Sequence, residues 1–293
     1  MIHILKVLEK DMENKLYLKD EELEELFKFK IIQQDNFNSN SDLFKYGNTI
    51  FKIYNGNNTL DIFNKSVINN IFNKYNYLSN IKELVLPKKL LIYNNHIVGF
   101  SMPYIEGNSL EEIINNNKDY NMKDIFIKLL NVINTYKELP FEFFIGDMHE
   151  KNIIIDNNNN IKIIDPDSFI IDNNKLCIDN EYLVGKYPNH YFNNNELKRI
   201  NYSSDYYSLL CIILNYLFKN IIEDTSNPIT WLKEEQQFKE IHEYLYKINE
   251  HFILKEEDIN NLFEFKNKLN YKYIENQEVK KEIQKIRKVL KKH

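Results

Sequence analysis

Apolar and polar residues alternate on both sides of Gly47-Asn48, in Leu43-Phe44-Lys45-Tyr46 before it and Thr49-Ile50-Phe51-Lys52-Ile53-Tyr54 after it. A period of two around a short glycine-containing turn predicts a β-hairpin. Two more apolar runs, Ile153–Ile155 and Ile161–Ile164, flank the asparagines 157–160 and predict a second hairpin with those asparagines at its tip. Ile97–Met102 reads as another strand, followed by Pro103-Tyr104-Ile105-Glu106-Gly107 and a helix opening near Ser109, with Glu112 in capping-box spacing. Helical stretches are predicted from about Leu60 to Leu78, from Ser204 to about Phe218, and through residues 227–270, which hold the only tryptophan, Trp231. Residues Glu9–Glu25, acidic with interspersed leucines, predict one or two short amphipathic helices. The basic stretch Lys280–His293 places Ile283, Ile286, Val289 and Leu290 at helical spacing. It reads as a last helix with a solvated lysine face, the alternative being a surface for an acidic partner or a membrane.

Composition changes this picture little. The chain has no alanine, two arginines (Arg199 and Arg287), six glycines and an excess of Asn, Ile, Lys and Tyr along its whole length, as pressure from an AT-rich genome would produce. The asparagine runs are therefore read as loop tips rather than as low-complexity disorder. At 293 residues and 43% hydrophobic, the chain can bury two cores or one large bilobed one. A net charge of −5 argues against a general nucleic-acid binder. Cys177 and Cys211 lie far apart with no metal-ligand spacing, as expected of reduced thiols in a cytosol. No apolar run reaches membrane-spanning length, and the N-terminus lacks the apolar core of a signal peptide, so a cytoplasmic protein is expected. No internal repeat is visible.

The chemistry concentrates between Ile145 and Asp167. Asp147 is followed five residues later by Asn152, and thirteen beyond that by Asp165, at the end of the predicted hairpin's second strand. A carboxylate at Asp147 suits the orientation and deprotonation of an attacking hydroxyl, and hard Mg²⁺ prefers oxygen ligands such as Asn152 and Asp165 offer. Pro166 cannot donate a backbone hydrogen bond and fits a strand end. Each residue alone would cap a strand; the spacing of all three resembles that by which protein-kinase-like enzymes place a base and two Mg²⁺ ligands for phosphoryl transfer.

Gly146-Asp147-Met148-His149-Glu150-Lys151-Asn152 resembles the catalytic loop of the protein-kinase-like superfamily, typically H-R-D-x-K-x-x-N, and is closer to the Gly-Asp-x-His-x-x-Asn of aminoglycoside phosphotransferases and other atypical kinases. Asp165-Pro166-Asp167-Ser168-Phe169 stands where the family carries D-F-G, and is similar to the run in a group of bacterial eukaryotic-like kinases. The resemblance implies an α+β bilobed fold. Residues 1–30 would be an acidic helical extension, 31–103 a small antiparallel-sheet N-lobe, and 104–293 a larger, mainly helical C-lobe ending in the basic helix. It also implies ATP and Mg²⁺ (or Mn²⁺) as cofactors, and an acceptor that is a protein or a small molecule.

Carried over residue by residue, Lys52 resembles the V-A-I-K lysine on the α- and β-phosphates, and Asn38, Ser39, Asn40 and Ser41 fall at the phosphate loop. Leu43 and Ile50 would line the nucleotide, Met102 resembles the gatekeeper, and Tyr104 and Ile105 the hinge. Asp147 would be the catalytic base, with Asn152 and Asp165 on metal. His149 would touch the γ-phosphate or hold the loop, and Asp167 is either a supporting carboxylate or an exposed turn residue. Asp205, in Ser204-Asp205-Tyr206-Tyr207-Ser208, resembles the helix-opening aspartate that anchors the catalytic loop, and Asn195-Glu196-Leu197 stands for the P-E pair closing the activation segment, with Gly185 before it.

Three departures bear on activity. The phosphate loop has no glycine, residues 60–78 contain no glutamate to pair with Lys52, and Gly146 replaces the arginine that reads a phosphorylated activation loop. A Ser/Thr protein kinase is the first expectation, a small-molecule phosphotransferase the second, and a pseudokinase that binds nucleotide or partners the third.

Overall fold

The computed structural model describes residues 14–28, 41–55, 59–116, 120–172, 192–193, 196–197, 202–219, 222, 228–234, 238–246, 248 and 252–268. The protein is of the α+β class, and its chain divides into two compact units. The first comprises Met1–Ile113, Thr135–Asp147 and Lys151–Cys177; the second comprises Ile114–Asn134, Met148–Glu150 and Ile178–His293.

The first unit opens with strand β1 (Lys15–Tyr17), helix α1 (Asp20–Phe27), β2 (Ser41–Tyr46), β3 (Thr49–Tyr54), α2 (Thr59–Asn73), the single turn α3 (Tyr75–Leu78), β4 (Lys89–Tyr93) and β5 (His96–Pro103). The five strands form one sheet in the order β1-β4-β5-β3-β2. Only β1 runs parallel to its neighbour; the other pairs are antiparallel. The β2–β3 hairpin closes with Tyr46 opposite Thr49, and Gly47 takes a φ of 56° at the first turn position, which glycine adopts without the penalty a Cβ brings. The β4–β5 hairpin turns on Asn94 and Asn95 with φ of 48° and 63°, the double left-handed geometry of a type I′ turn.

One face of this sheet makes a core. Phe44, Phe51 and Leu91 are buried there with Leu16, Leu18 and Leu26, and Leu23 of α1 closes over them. Helix α1 begins where Lys19 N–H donates to the Glu22 carboxylate at 2.8 Å, and Asp20, Glu21 and Glu22 oppose the positive end of its dipole. The helical reading of the acidic N-terminal stretch is thus met only from Asp20 onward. Lys15–Tyr17 is a strand with Leu16 buried, because pairing with β4 decides the conformation of three residues too short to show a period; residues 9–13 lie outside the described residues.

Strand β6 (Gly107–Ser109) leads into α4 (Leu110–Asn115), whose first turn carries the expected capping box: Glu112 N–H donates to Ser109 Oγ at 3.1 Å and Ser109 N–H to Glu112 Oε2 at 3.0 Å. After α5 (Met122–Lys137) come β7 (Phe143–Phe144), β8 (Ile153–Asp156), β9 (Ile161–Ile163) and β10 (Ile170–Ile171). Strand β8 pairs with β6 and β9, and β10 pairs with β7. Asp156 shapes the β8–β9 turn by accepting from the backbone of Asn158 and Asn160, each at 2.8 Å, so the asparagine run is a loop tip.

In the second unit α6 (Tyr202–Phe218) is apolar on nearly all sides and buried from Ser203 to Phe218 except at the half-buried Tyr216. Helices α7 (Pro228–Glu234), α8 (Lys239–Tyr246) and α9 (Glu256–Lys268) follow, and α6 contacts α7 and α9. Phe218, Phe238 and Phe265 meet ring to ring, and Phe126 meets Tyr216 and Phe263. Strands β11 (Phe192–Asn193) and β12 (Glu196–Leu197) form a separate antiparallel pair. Among the described residues no helix is long and apolar enough to cross a membrane. Cys177, Gly185, Asn195 and the basic stretch Lys280–His293 lie outside the described residues.

Candidate functional site

The opposite face of the five-stranded sheet carries Lys52. In β3, Ile50 and Lys52 point to the same side; Leu43 of β2 and Phe100 of β5 stand opposite Lys52, and Met102 of β5 stands opposite Ile50. Ile50, Phe100 and Met102 are buried, so the Lys52 ammonium rises from an apolar shelf. It donates to two carboxylates, Asp165 and, at 2.8 Å, Asp167. Burial alone would lower the Lys52 pKa, but the charges and hydrogen bonds of the two carboxylates outweigh it and hold the ammonium well above its ordinary range. Burial pushes Asp167 up to about 6; Lys52 pulls it down, and the like charge of Asp165 adds to the rise. Two acids around one cation cannot both ionise as easily as one, and the deeper acid bears the cost.

The carboxylates are presented by the turn that follows β9. Asp165 adopts φ 69° and ψ 57°, a left-handed conformation that costs most side chains about 1 kcal/mol and that Asp tolerates better than most. Pro166 then opens a 3₁₀ turn through Ser168, against which α2 packs. The single Ser168 hydroxyl proton is shared between the Asp165 carbonyl at 2.8 Å and the Ile145 carbonyl at 3.2 Å, which ties this turn to the loop carrying Asp147. Gly146 makes the close approach possible: its φ is 76°, and a Cβ there would stand 2.4 Å from the Ser168 carbonyl oxygen. Asn152 Nδ2 donates to the Asp147 carbonyl at 3.1 Å and reaches its Oδ2 at 3.4 Å, while Ile164 N–H donates to the Asn152 carbonyl at 2.9 Å. Asp147, Asn152 and Asp165 are therefore held by one hydrogen-bonded frame of the first unit.

No protein-family model matches the chain, and no curated protein matches it. The chemistry of the site rests on its own residues. With its nitrogen turned to Asp147, Asn152 has its amide oxygen left to offer a cation, and Asp165 adds a carboxylate. Two oxygen donors suit a hard divalent ion completed by water and phosphate, and among the described residues no cluster of three His, Cys, Asp or Glu forms a fuller metal cage.

The remaining expected residues are placed as follows. Ser41 is buried at the start of β2, and Asn38, Ser39 and Asn40 lie outside the described residues. Met102 ends the apolar shelf. Tyr104, half-buried, donates its N–H to the Asn48 carbonyl at 2.8 Å, with Lys45 Nζ 3.3 Å from its ring centre, and Ile105 is half-buried beside it. His149 is half-buried in the loop after Asp147. Asp205, in the first turn of α6, is fully buried.

Asp167 is the residue that sequence reasoning left open. It is no exposed turn residue: its side chain is 3% exposed and bonded to Lys52. The signal available was indirect. A buried lysine needs a carboxylate, and the stretch before β4 contains no glutamate in α2.

Proposed function

We propose that the protein is an ATP-dependent phosphotransferase of bilobed protein-kinase-like fold that moves the γ-phosphate to a hydroxyl, most simply that of a serine or threonine on another protein. The observation that carries this reading is the meeting of Lys52 with Asp165 at the edge of an apolar shelf, beside the Asp147–Asn152 loop. A lysine held beside a carboxylate on an apolar sheet face supports binding of a nucleoside triphosphate.

In this reading Ile50, Leu43 and Met102 take the adenine, and the ammonium of Lys52 takes phosphate oxygens. Asn152 and Asp165 would hold Mg²⁺, which supplies charge neutralisation at the β- and γ-phosphates when bound. Asp147, steadied by the amide of Asn152, orients the acceptor hydroxyl and takes its proton. A small-molecule acceptor is the second reading, favoured by Gly146, whose contact with Ser168 leaves no room for an arginine that would read a phosphorylated loop.

The test is transfer of labelled γ-phosphate from Mg²⁺-ATP to the protein itself, to a generic protein acceptor and to hydroxylated small molecules, with Asp147→Asn and Asp165→Asn as controls. Transfer by the wild type and a loss of at least about a hundredfold in both variants is expected. Absence of transfer together with absence of thermal stabilisation by Mg²⁺-ATP sinks the reading and makes the pseudokinase the leading account; stabilisation without transfer points to an acceptor other than those tried.

A further inference from the structure

We propose that Asp167 is the positioning residue for Lys52, supplying from the turn after β9 a buried carboxylate that holds the ammonium. The assignment rests on the phosphotransferase reading and concerns what aims the lysine within it.

The two carboxylates that share the ammonium differ in access. The Asp165 side chain is 30% exposed and that of Asp167 is 3% exposed. A cation arriving from solvent reaches Asp165, and its charge competes there with Lys52. Asp167 is closed off, so its hydrogen bond to Lys52 survives that competition and keeps the ammonium from following its charge elsewhere. An ammonium has three donors. One bound to Asp167 leaves two to turn toward phosphate oxygens once Asp165 is engaged by metal.

The local structure keeps Asp167 in place. Pro166 fixes the first residue of the 3₁₀ turn, Ser168 N–H donates to the Asp165 carbonyl at 3.1 Å, and the Ser168 hydroxyl locks the turn onto Ile145. Phe169 anchors the far end in the core, with its ring 5.2 Å from that of Phe143. Helix α2 packs on this turn, so the helix supports the turn that carries the carboxylate. Its own sequence, Thr59–Asn73, contains no glutamate, and its one acidic residue is Asp61, near its start.

The experiment is calorimetric titration of the full chain with Mg²⁺-ATP and, separately, with adenosine, in wild type, Asp167→Asn, Lys52→Met and the double variant. Asp167→Asn is expected to weaken Mg²⁺-ATP on the order of tenfold, the worth of one charge-assisted hydrogen bond, and to leave adenosine unchanged. In the Lys52→Met background the same substitution is expected to cost nothing further. Equal weakening in both backgrounds, equal weakening of adenosine, or no weakening at all overturns the assignment while the nucleotide-binding reading stands. Failure of the wild type to bind Mg²⁺-ATP removes that reading and the assignment with it. Should Asp167→Asn not fold, the double variant decides: with the lysine gone a positioning carboxylate is dispensable, so the double variant is expected to be at least as stable as Lys52→Met, and one that does not fold overturns the proposal.

Discussion

Asn94, Asn95, Asn159 and Asp165 all sit at positive φ, where most proteins would place glycine. With six glycines in 293 residues, this chain gives left-handed positions to the side chains that tolerate them best. Such substitution has a cost that can be measured. In the β4–β5 turn both central residues are left-handed, the geometry for which Asn-Gly is the favoured pair. Asn95→Gly is expected to stabilise the fold by about 0.5 kcal/mol, the relief at φ 63° exceeding glycine's extra entropy in the unfolded chain. Thermal unfolding checks it, and a lower midpoint would mean that Asn95 makes contacts worth more than the strain. At Asp165 the same conformation is retained by an aspartate because the carboxylate is needed there, bonded to Lys52. Which carboxylates meet Lys52 was not legible in the sequence. Lys52 lies more than a hundred residues before both Asp165 and Asp167, and only the turn at Pro166 aims Asp167 inward rather than to solvent.

At the scale of elements, the hairpins β2–β3 and β8–β9 were legible because each has strong alternation or an apolar run on both sides of a turn rich in Gly or Asn. The helix at 202–218 and the capping box at Ser109 were legible for equally local reasons. Strands β1, β7 and β10 were not: with two or three residues each they have no period, and their conformation comes from partners far along the chain. The β8–β9 hairpin matters most to the site, since it sets the distance along the chain from Asn152 to Asp165. Its turn depends on Asp156, which accepts from two backbone N–H groups and from Asn160 Nδ2 at 3.1 Å. The small desolvation of Asp156 acts to raise its pKa, but the Asn160 and Asn158 donors and Lys162 outweigh it and hold the carboxyl below its ordinary value. A depressed folded pKa means that this stabilisation is present above the unfolded value near 4 and is lost as pH falls through the lower, folded one. Asp156→Ala is therefore expected to destabilise the protein by about 1 kcal/mol at pH 7. The gap between variant and wild type should narrow as the pH is lowered below about 4, in urea titrations repeated across pH. A gap that stays constant with pH would show that the ionised carboxylate is not what holds the turn.

On the scale of the molecule, the chain builds its two units from interleaved segments, so neither is a continuous stretch of sequence. Each unit has a core of its own. The first gathers Phe44, Phe51 and Leu91 between sheet and α1, and the second gathers Phe218, Phe238 and Phe265 around α6. The first is mostly leucine, the second is built around phenylalanine rings, and a chain without alanine has few small side chains to interleave with such large ones. Such a core tolerates truncation poorly, since isoleucines and phenylalanines locked against one another collapse little into a void. Phe218 is fully buried, and its ring centre lies 5.3 Å from that of Phe238 and 6.2 Å from that of Phe265. Phe218→Ala is expected to cost about 3–5 kcal/mol, a large part of an ordinary domain's stability, whereas Phe218→Leu, which keeps most of the volume, should cost less than half as much. Urea unfolding followed by near-ultraviolet circular dichroism distinguishes the two. If the leucine variant loses as much as the alanine one, ring-to-ring contact rather than filled volume holds this core; if neither loses more than about 1 kcal/mol, the helices around α6 are not close-packed.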